Sequence, residues 1–316
     1  MGSPSRGEAL RTRVVIIDAN FASQRVDNYL FSHLKGVPKS RIYRAIRQGE
    51  VRVNQQKVAP RYSLQVGDRV RIPPLRVAEM PVQVKLSSSW KTMLEQSVIY
   101  EDGDILAFNK PVGVSVHGGS GIRLGLIEAV RLWRTHERFL ELVHRLDRET
   151  SGCLVVAKNR PVLTELHRLL VSHQVEKQYL ALVLGDWPIS LQEVSLPLQK
   201  NVLKSGERKV EVNEKGRPAV TRFRPLKRFK EMTLLEVRPV TGRMHQIRVH
   251  AASMGYPIVG DEKYGDTYFN QRLRQRWQRR LFLHAAGLQW TLSNGKKIGI
   301  CTVLDEDWRK VLREAV

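Results

Sequence analysis

Apolar residues recur at helical spacing between Gln24 and Leu34, where Val26, Tyr29, Leu30 and Leu34 fall on one face and Arg25, Asp27 and Asn28 leave the other polar. Pro38 interrupts this pattern, and Ser40 is placed to cap a second short helix in which Ile42, Ala45 and Ile46 lie beside Arg41, Arg44 and Arg47. Gly49 marks its exit. Alternation then predicts a strand through Val51, Arg52, Val53 and Asn54, and another through Arg69, Val70, Arg71 and Ile72 after the Gly67-Asp68 turn. Pro73-Pro74 ends that strand. Residues 1–22 read as a flexible N-terminal arm, 23–75 as a small domain, and the weakly periodic stretch 76–96 as a linker.

From 97 to 316 the pattern changes to apolar strands broken by glycines, with helices between them. Ile105 to Phe108 predict a short buried strand, Leu124 to Thr135 a helix, Pro161 to His173 another helix, and Lys177 to Val183 a strand. Within this run the apolar approach through Leu142 and Val143 turns abruptly polar at His144, Arg145 and Asp147, then resumes at Cys153. Thr150 and Ser151 can tie such a turn, and Gly152 allows a close bend into the next strand. Further on, a strand end, a Gly242 turn carrying Arg243, and a helix carrying Gln246, Arg248 and His250 follow one another.

Charge changes the picture. The 316 residues include 53 Lys and Arg against 31 Asp and Glu, a net +22 that favours a polyanionic partner such as nucleic acid. Residues 1–80 alone hold 15 basic and 6 acidic side chains. Lys39, Arg41, Arg44, Arg47, Arg52 and Lys57 are the candidate nucleic-acid contacts there, suited to neutralising phosphates. Two cysteines make no disulfide framework, and His144, His245 and His250 match no zinc spacing, so no metal and no redox cofactor is expected. No secretory leader or membrane-spanning run is expected either, and the cytoplasm is the simplest compartment.

The residues leave several chemistries open at Asp147. Flanking Arg145 and Arg148 can stabilise its carboxylate in a structural ion pair or in a reactive one. Tyr179 can be a packed aromatic, or it can stack on a base and join a proton network. Arg243 can pair with Asp147 or with a phosphate, and Arg248 is the candidate for positioning RNA. A glycosidase-like hydrolase would need a second acid/base group and a path for water. A non-enzymatic nucleic-acid-binding protein is the other competing class. The Gln271-to-Arg280 insertion predicts an amphipathic or RNA-facing helix, with Trp277 equally able to stack on RNA or to pack inward.

The segment RVDNYLFSHLKGVPKSRIYRAIRQGEVRVNQQKV, with the later GDRVRI, resembles an S4 RNA-binding domain across about residues 23–73; Gln55 stands where such domains often place Gly. HRLDRETSG and RPVTGRMHQIRVH resemble the paired signatures of the RluA family of pseudouridine synthases, with NKPVGVSVHGG, KQYLALV, GRPAVTRF and FLHAAGL in matching order. That resemblance implies an α+β fold: an S4-like domain, then a mixed, largely antiparallel central sheet with flanking helices. It also implies a catalytic Asp147, a Tyr179 that stacks on the displaced base and relays the C5 proton, and an Arg243 that holds Asp147. Arg145 is the candidate to fill the space left by a flipped nucleotide. The implied substrate is a small set of uridines in 23S ribosomal RNA, in free or partly assembled large-subunit particles, with no cofactor and no obligate protein partner.

Overall fold

The computed structural model describes residues 12–34, 36–75, 85–119, 124–202, 208–274, 276–277 and 279–315. Two compact units divide between Ser87 and Ser88, with Asn159–Pro161 grouped with the first.

The first unit contains strand β1 (Arg13–Ile16), helices α1 (Val26–His33) and α2 (Lys39–Gln48), and strands β2 (Arg52–Val53) and β3 (Arg69–Ile72). The strands form an antiparallel sheet in the order β1-β3-β2. Val53, Val70 and Ile72 meet Val26, Leu30, Ile42, Ala45 and Ile46 in one core, as the two sequence periods require. The flexible arm expected over 1–22 is corrected at its inner end: Arg13–Ile16 pair with β3 and Ile17 is buried. Four successive apolar residues from Val14 to Ile17 show no alternation, which hid the strand. Residues 1–11 lie outside the described residues. Asp27, expected on the polar face of α1, is buried and held by Arg25 and by the Tyr43 hydroxyl. The turn at Asn54 and Gln55 places both residues at positive φ, 49° and 66°, so Gln55 adopts the conformation that glycine ordinarily supplies.

The second unit runs α3 (Ser88–Ser97), β4 (Val98–Glu101), β5 (Ile105–Lys110), α4 (Leu126–Trp133), β6 (Glu141–Leu142), β7 (Ser151–Ala157), α5 (Arg160–Val171) and β8 (Glu176–Leu184). It continues through β9 (Glu193–Ser195), β10 (Leu198–Val202), β11 (Arg208–Val212), β12 (Val220–Arg228), β13 (Met232–Pro239), α6 (Gln246–Ser253), α7 (Thr267–Arg274), β14 (Leu283–Thr291), β15 (Lys297–Cys301) and α8 (Glu306–Glu314). Of the stretch expected as a linker, 76–84 lies outside the described residues, and Ser88–Ser97 is helical.

Ten strands form one mixed sheet in the order β4-β5-β7-β14-β8-β13-β12-β9, with β15 also on β14 and β6 on β7. Among these pairings β7 with β14 is parallel and the others are antiparallel. Every residue of β7 is buried, so the turn preceding it is fixed against the centre of the sheet. Gly152 is indispensable there: its φ is +109°, and a Cβ would lie 2.2 Å from the Ala285 carbonyl oxygen of β14. In the arginine-rich insertion, α7 ends at Arg274; Gln275 and Gln278 lie outside the described residues. Trp277 packs inward, 8% exposed, with its Nε1–H donating to Glu314 at 2.8 Å. β10 and β11 form a separate two-stranded arm that packs on α6 through Val210, Leu198 and Val249.

Candidate active site

A polar turn between β6 and β7 carries Asp147 to the wall of a cleft of about 750 Å3. Its lining includes Arg145, Asp147, His173, Lys177, Tyr179, Arg243, His245 and Arg248. The turn is tied internally by Thr150 N–H donating to the Asp147 carbonyl at 3.1 Å. Lys110, wholly buried, donates to the carbonyls of Pro111, Val114 and Arg148 at 2.8, 2.9 and 3.0 Å. Burial pulls this ammonium down to about 7, against the opposing charges of Glu149 and Asp147.

On the far side of the turn, hydrogen bonds run in one direction. Arg280, clamped by Asp305, donates to Ser151 Oγ at 3.1 Å. Thr302 gives its proton to the Ala285 carbonyl, so His284 Nε2–H donates to Thr302 and Nδ1 accepts from Ser151. Burial holds His284 near 4, so it is a neutral structural imidazole. His144, also pushed down to about 4 by burial, accepts the Val155 N–H at 3.2 Å through Nε2.

The guanidinium paired with Asp147 among the described residues is that of Arg248, with Nη1 3.3 Å from Oδ2. Its remaining nitrogens clamp the buried carboxylate of Asp261 at 2.7 and 2.8 Å. Arg243, expected to hold Asp147, is exposed and donates to the Pro218 carbonyl at 3.2 Å. The exchange has a geometric cause. Gly242 and Arg243 lie on the turn before α6, whereas Arg248 lies within the helix, buried beside the chain returning through Asp261. Burial disfavours charge on both members of this pair, but their mutual hydrogen bonds and attraction prevail. The Arg248 pKa is raised and that of Asp261 lowered.

Tyr179 on β8 is half-buried in the cleft, and burial, with the charge of Asp147, pushes its phenol up. It is therefore protonated at neutral pH. Lys177 donates to the Thr241 carbonyl at 3.2 Å and is lowered by burial. His250, on the same helix as Arg248, is used structurally: Nε2 donates to Leu196 and Nδ1 meets the Thr221 hydroxyl. Among the described residues, no group of three or more His, Cys, Asp or Glu side chains could hold a metal ion. No described helix is long and apolar enough to cross a membrane.

In the first unit Lys39, Arg44, Arg47, Arg52 and Lys57 are exposed. Arg41 is different, because its guanidinium meets both oxygens of Glu50 at 3.1 and 2.7 Å. Arg52 spends donors on the carbonyls of Gly49 and Gln55. Asp261, His245 and Tyr264 had no assigned role from sequence. The signal for Asp261 was an apolar approach through Ile258 and Val259 that turns polar, as at Asp147.

Comparison with known proteins places these features in a family. Residues 104–253 match the model for RNA pseudouridylate synthase, and 24–70 match that for the S4 domain. Ribosomal large subunit pseudouridine synthase C of Pasteurella multocida (strain Pm70) is 48% identical over 304 residues, 95% of this chain and 93% of that protein. The protein of the same name from Escherichia coli (strain K12) is 48% identical over 311 residues, 97% and 98% of the two chains. The solved structure of human RNA pseudouridylate synthase domain containing 1 aligns with a TM-score of 0.55 and 27% identity, over 66% of this chain and 83% of that one. The chain belongs to the ribosomal large subunit pseudouridine synthase C family, whose RNA pseudouridylate synthase domain here follows an S4 domain.

Proposed function

We propose that this protein isomerises uridine to pseudouridine at several separate positions of 23S ribosomal RNA, with Asp147 as the catalytic group. The observation that carries this reading is the carboxylate of Asp147 on a fixed turn, facing the cleft beside Tyr179 and held by Arg248. The N1–C1′ bond of uridine breaks, uracil turns within the cleft, and C5 bonds to C1′ as its hydrogen leaves and N1 gains one. Asp147 serves either as nucleophile at C1′ or as base at C2′; both start from its ionised form.

Tyr179 stacks on the displaced base. Its phenol is protonated, so relaying the C5 proton requires handing on its own as it accepts the new one. Arg248 takes the place first expected of Arg243 in holding Asp147, which leaves the exposed Arg243 free to meet RNA phosphate. Arg145 fills the space left by the flipped nucleotide. Lys39, Arg44, Arg47, Arg52 and Lys57 of the S4 domain supply sequence-independent phosphate contacts, with Arg41 contributing through its pair with Glu50. The substrate is RNA in free or partly assembled large-subunit particles in the cytoplasm.

The test is conversion of 23S RNA from cells lacking this gene, with product positions located by mass spectrometry. Wild-type protein converts discrete uridines without releasing uracil, and Asp147→Ala converts none. Released uracil would point to hydrolysis. Absent conversion by folded, RNA-binding wild-type protein would point to a binding or assembly role.

A further inference from the structure

His245 and Tyr264 stand beside the reaction centre, next to Asp147 and Arg248. His245 lies at the start of α6 with φ +53°, a left-handed conformation that a non-glycine residue holds only when its surroundings require it. Its Nδ1 is 2.8 Å from the Tyr264 hydroxyl, and its Nε2 is 3.7 Å from Asp147 Oδ2. Tyr264 is fixed in turn. Its hydroxyl oxygen accepts the Val210 N–H of β11 at 3.0 Å, its own N–H donates to Asp261 at 3.1 Å, and its ring lies 5.1 Å from the Arg248 guanidinium.

These contacts favour one arrangement of protons. Val210 N–H can only donate, so the phenol oxygen accepts from it, and the phenol proton is free for His245 Nδ1. That leaves the hydrogen of a neutral imidazole on Nε2, facing the Asp147 carboxylate. In the other tautomer the phenol proton loses its acceptor, and the Nε2 lone pair faces a negative oxygen. Burial keeps His245 below the ordinary imidazole range, consistent with the neutral form. The whole chain runs Val210 N–H to Tyr264, Tyr264 O–H to His245, and His245 N–H toward Asp147.

We propose that Tyr264 and His245 form a directed relay that presents an imidazole N–H to Asp147, making both of them positioning residues for pseudouridine formation. The inference rests on the catalytic reading of Asp147. At 3.7 Å the last contact is electrostatic, and it shortens to a hydrogen bond when the target nucleotide fixes Asp147. Arg248 holds the same oxygen, so the relay and the guanidinium together define its position. Because Val210 is the middle residue of β11, paired with Lys200 of β10, the relay also ties the β10–β11 arm to the carboxylate.

The experiment combines nitrogen NMR of the full chain labelled in histidine with single-turnover conversion of an RNA fragment containing one target uridine. The His245 signals are assigned by their loss in His245→Gln. The wild-type signals show hydrogen on Nε2 and not on Nδ1. Tyr264→Phe, which keeps the ring, slows conversion about tenfold, equivalent to about 1.4 kcal/mol, with the RNA dissociation constant unchanged. His245→Gln, which retains an amide N–H, converts faster than His245→Ala, and adding Tyr264→Phe to His245→Gln slows it no further. Hydrogen on Nδ1 in the wild-type protein, a wild-type rate for Tyr264→Phe, or an equal loss in the His245→Gln background would overturn the relay. Failure of the underlying reading has a separate signature: Asp147→Ala would still convert.

Discussion

Arg248 joins two carboxylates of unequal exposure, and replacing it separates its structural work from its catalytic work. In Arg248→Met, the Asp261 side chain, 0% exposed, loses two charge-assisted hydrogen bonds and keeps the backbone donors of Lys263 and Tyr264. Removing one partner of a buried pair destabilises by about 3–5 kcal/mol, because the other charge is left uncompensated. Adding Asp261→Asn removes that charge and restores most of the loss. It does not restore the positive charge 3.3 Å from Asp147. At an effective dielectric constant near 20, two charges about 4 Å apart interact by about 4 kcal/mol. Asp147 is 29% exposed, so solvent screening reduces this to about 2–3 kcal/mol, roughly a 30- to 150-fold loss of rate if the ionised carboxylate is the reactive form. Denaturant unfolding and single-turnover pseudouridine formation measure the two effects. The double variant recovers stability while remaining slow. A double variant with near-wild-type rate, or Arg248→Met as stable as the double variant, would refute this division of roles.

His284 has its folded pKa pushed to about 4 from an ordinary 6.5, so stability is complete above 6.5 and falls as the unfolded chain takes up a proton between 6.5 and 4. At about 1.4 kcal/mol per pH unit, the largest contribution is about 3 kcal/mol; unfolding from pH 7 to 4 should show a shallower slope in His284→Gln, and an unchanged slope would contradict the neutral imidazole. Gly152→Ala should destabilise the catalytic unit by about 3 kcal/mol or more, since it combines a left-handed φ with collision against Ala285; thermal unfolding at the wild-type temperature would refute it. Gln55→Gly should raise the unfolding temperature of the S4 unit by relieving the positive φ at that turn, and a lowered temperature would mean that the Gln55 side chain contributes more than its backbone strain removes.

Periodicity exposed the elements whose two faces differ. Helices α1, α2, α4 and α5 and strands β3, β5 and β8 lie where their apolar spacing placed them, within the few residues that caps and fraying leave open. It was silent for β1, where Val14 to Ile17 are uniformly apolar, and for α3, where LSSSW reads as polar loop although Leu94 and Ser97 are buried. At the site, the turn around Asp147 was visible because polarity breaks abruptly between the apolar approach through Leu142 and Val143 and the buried strand β7. The partner of Asp147 was not. Arg243 and Arg248 differ by five positions on one basic segment, and only the chain returning through Asp261 decides which is drawn inward. Trp277 depended likewise on a distant residue, Glu314 on α8.

Asp147→Asn changes the carboxylate to an amide of nearly the same size and so tests whether that carboxylate carries the chemistry. RNA affinity is measured first, then pseudouridine formation in a single turnover with enzyme in excess over 23S RNA. Binding within a few-fold of wild type, with no pseudouridine formed, is the expected result; conversion at the wild-type rate and positions would contradict the assignment of the chemistry to Asp147.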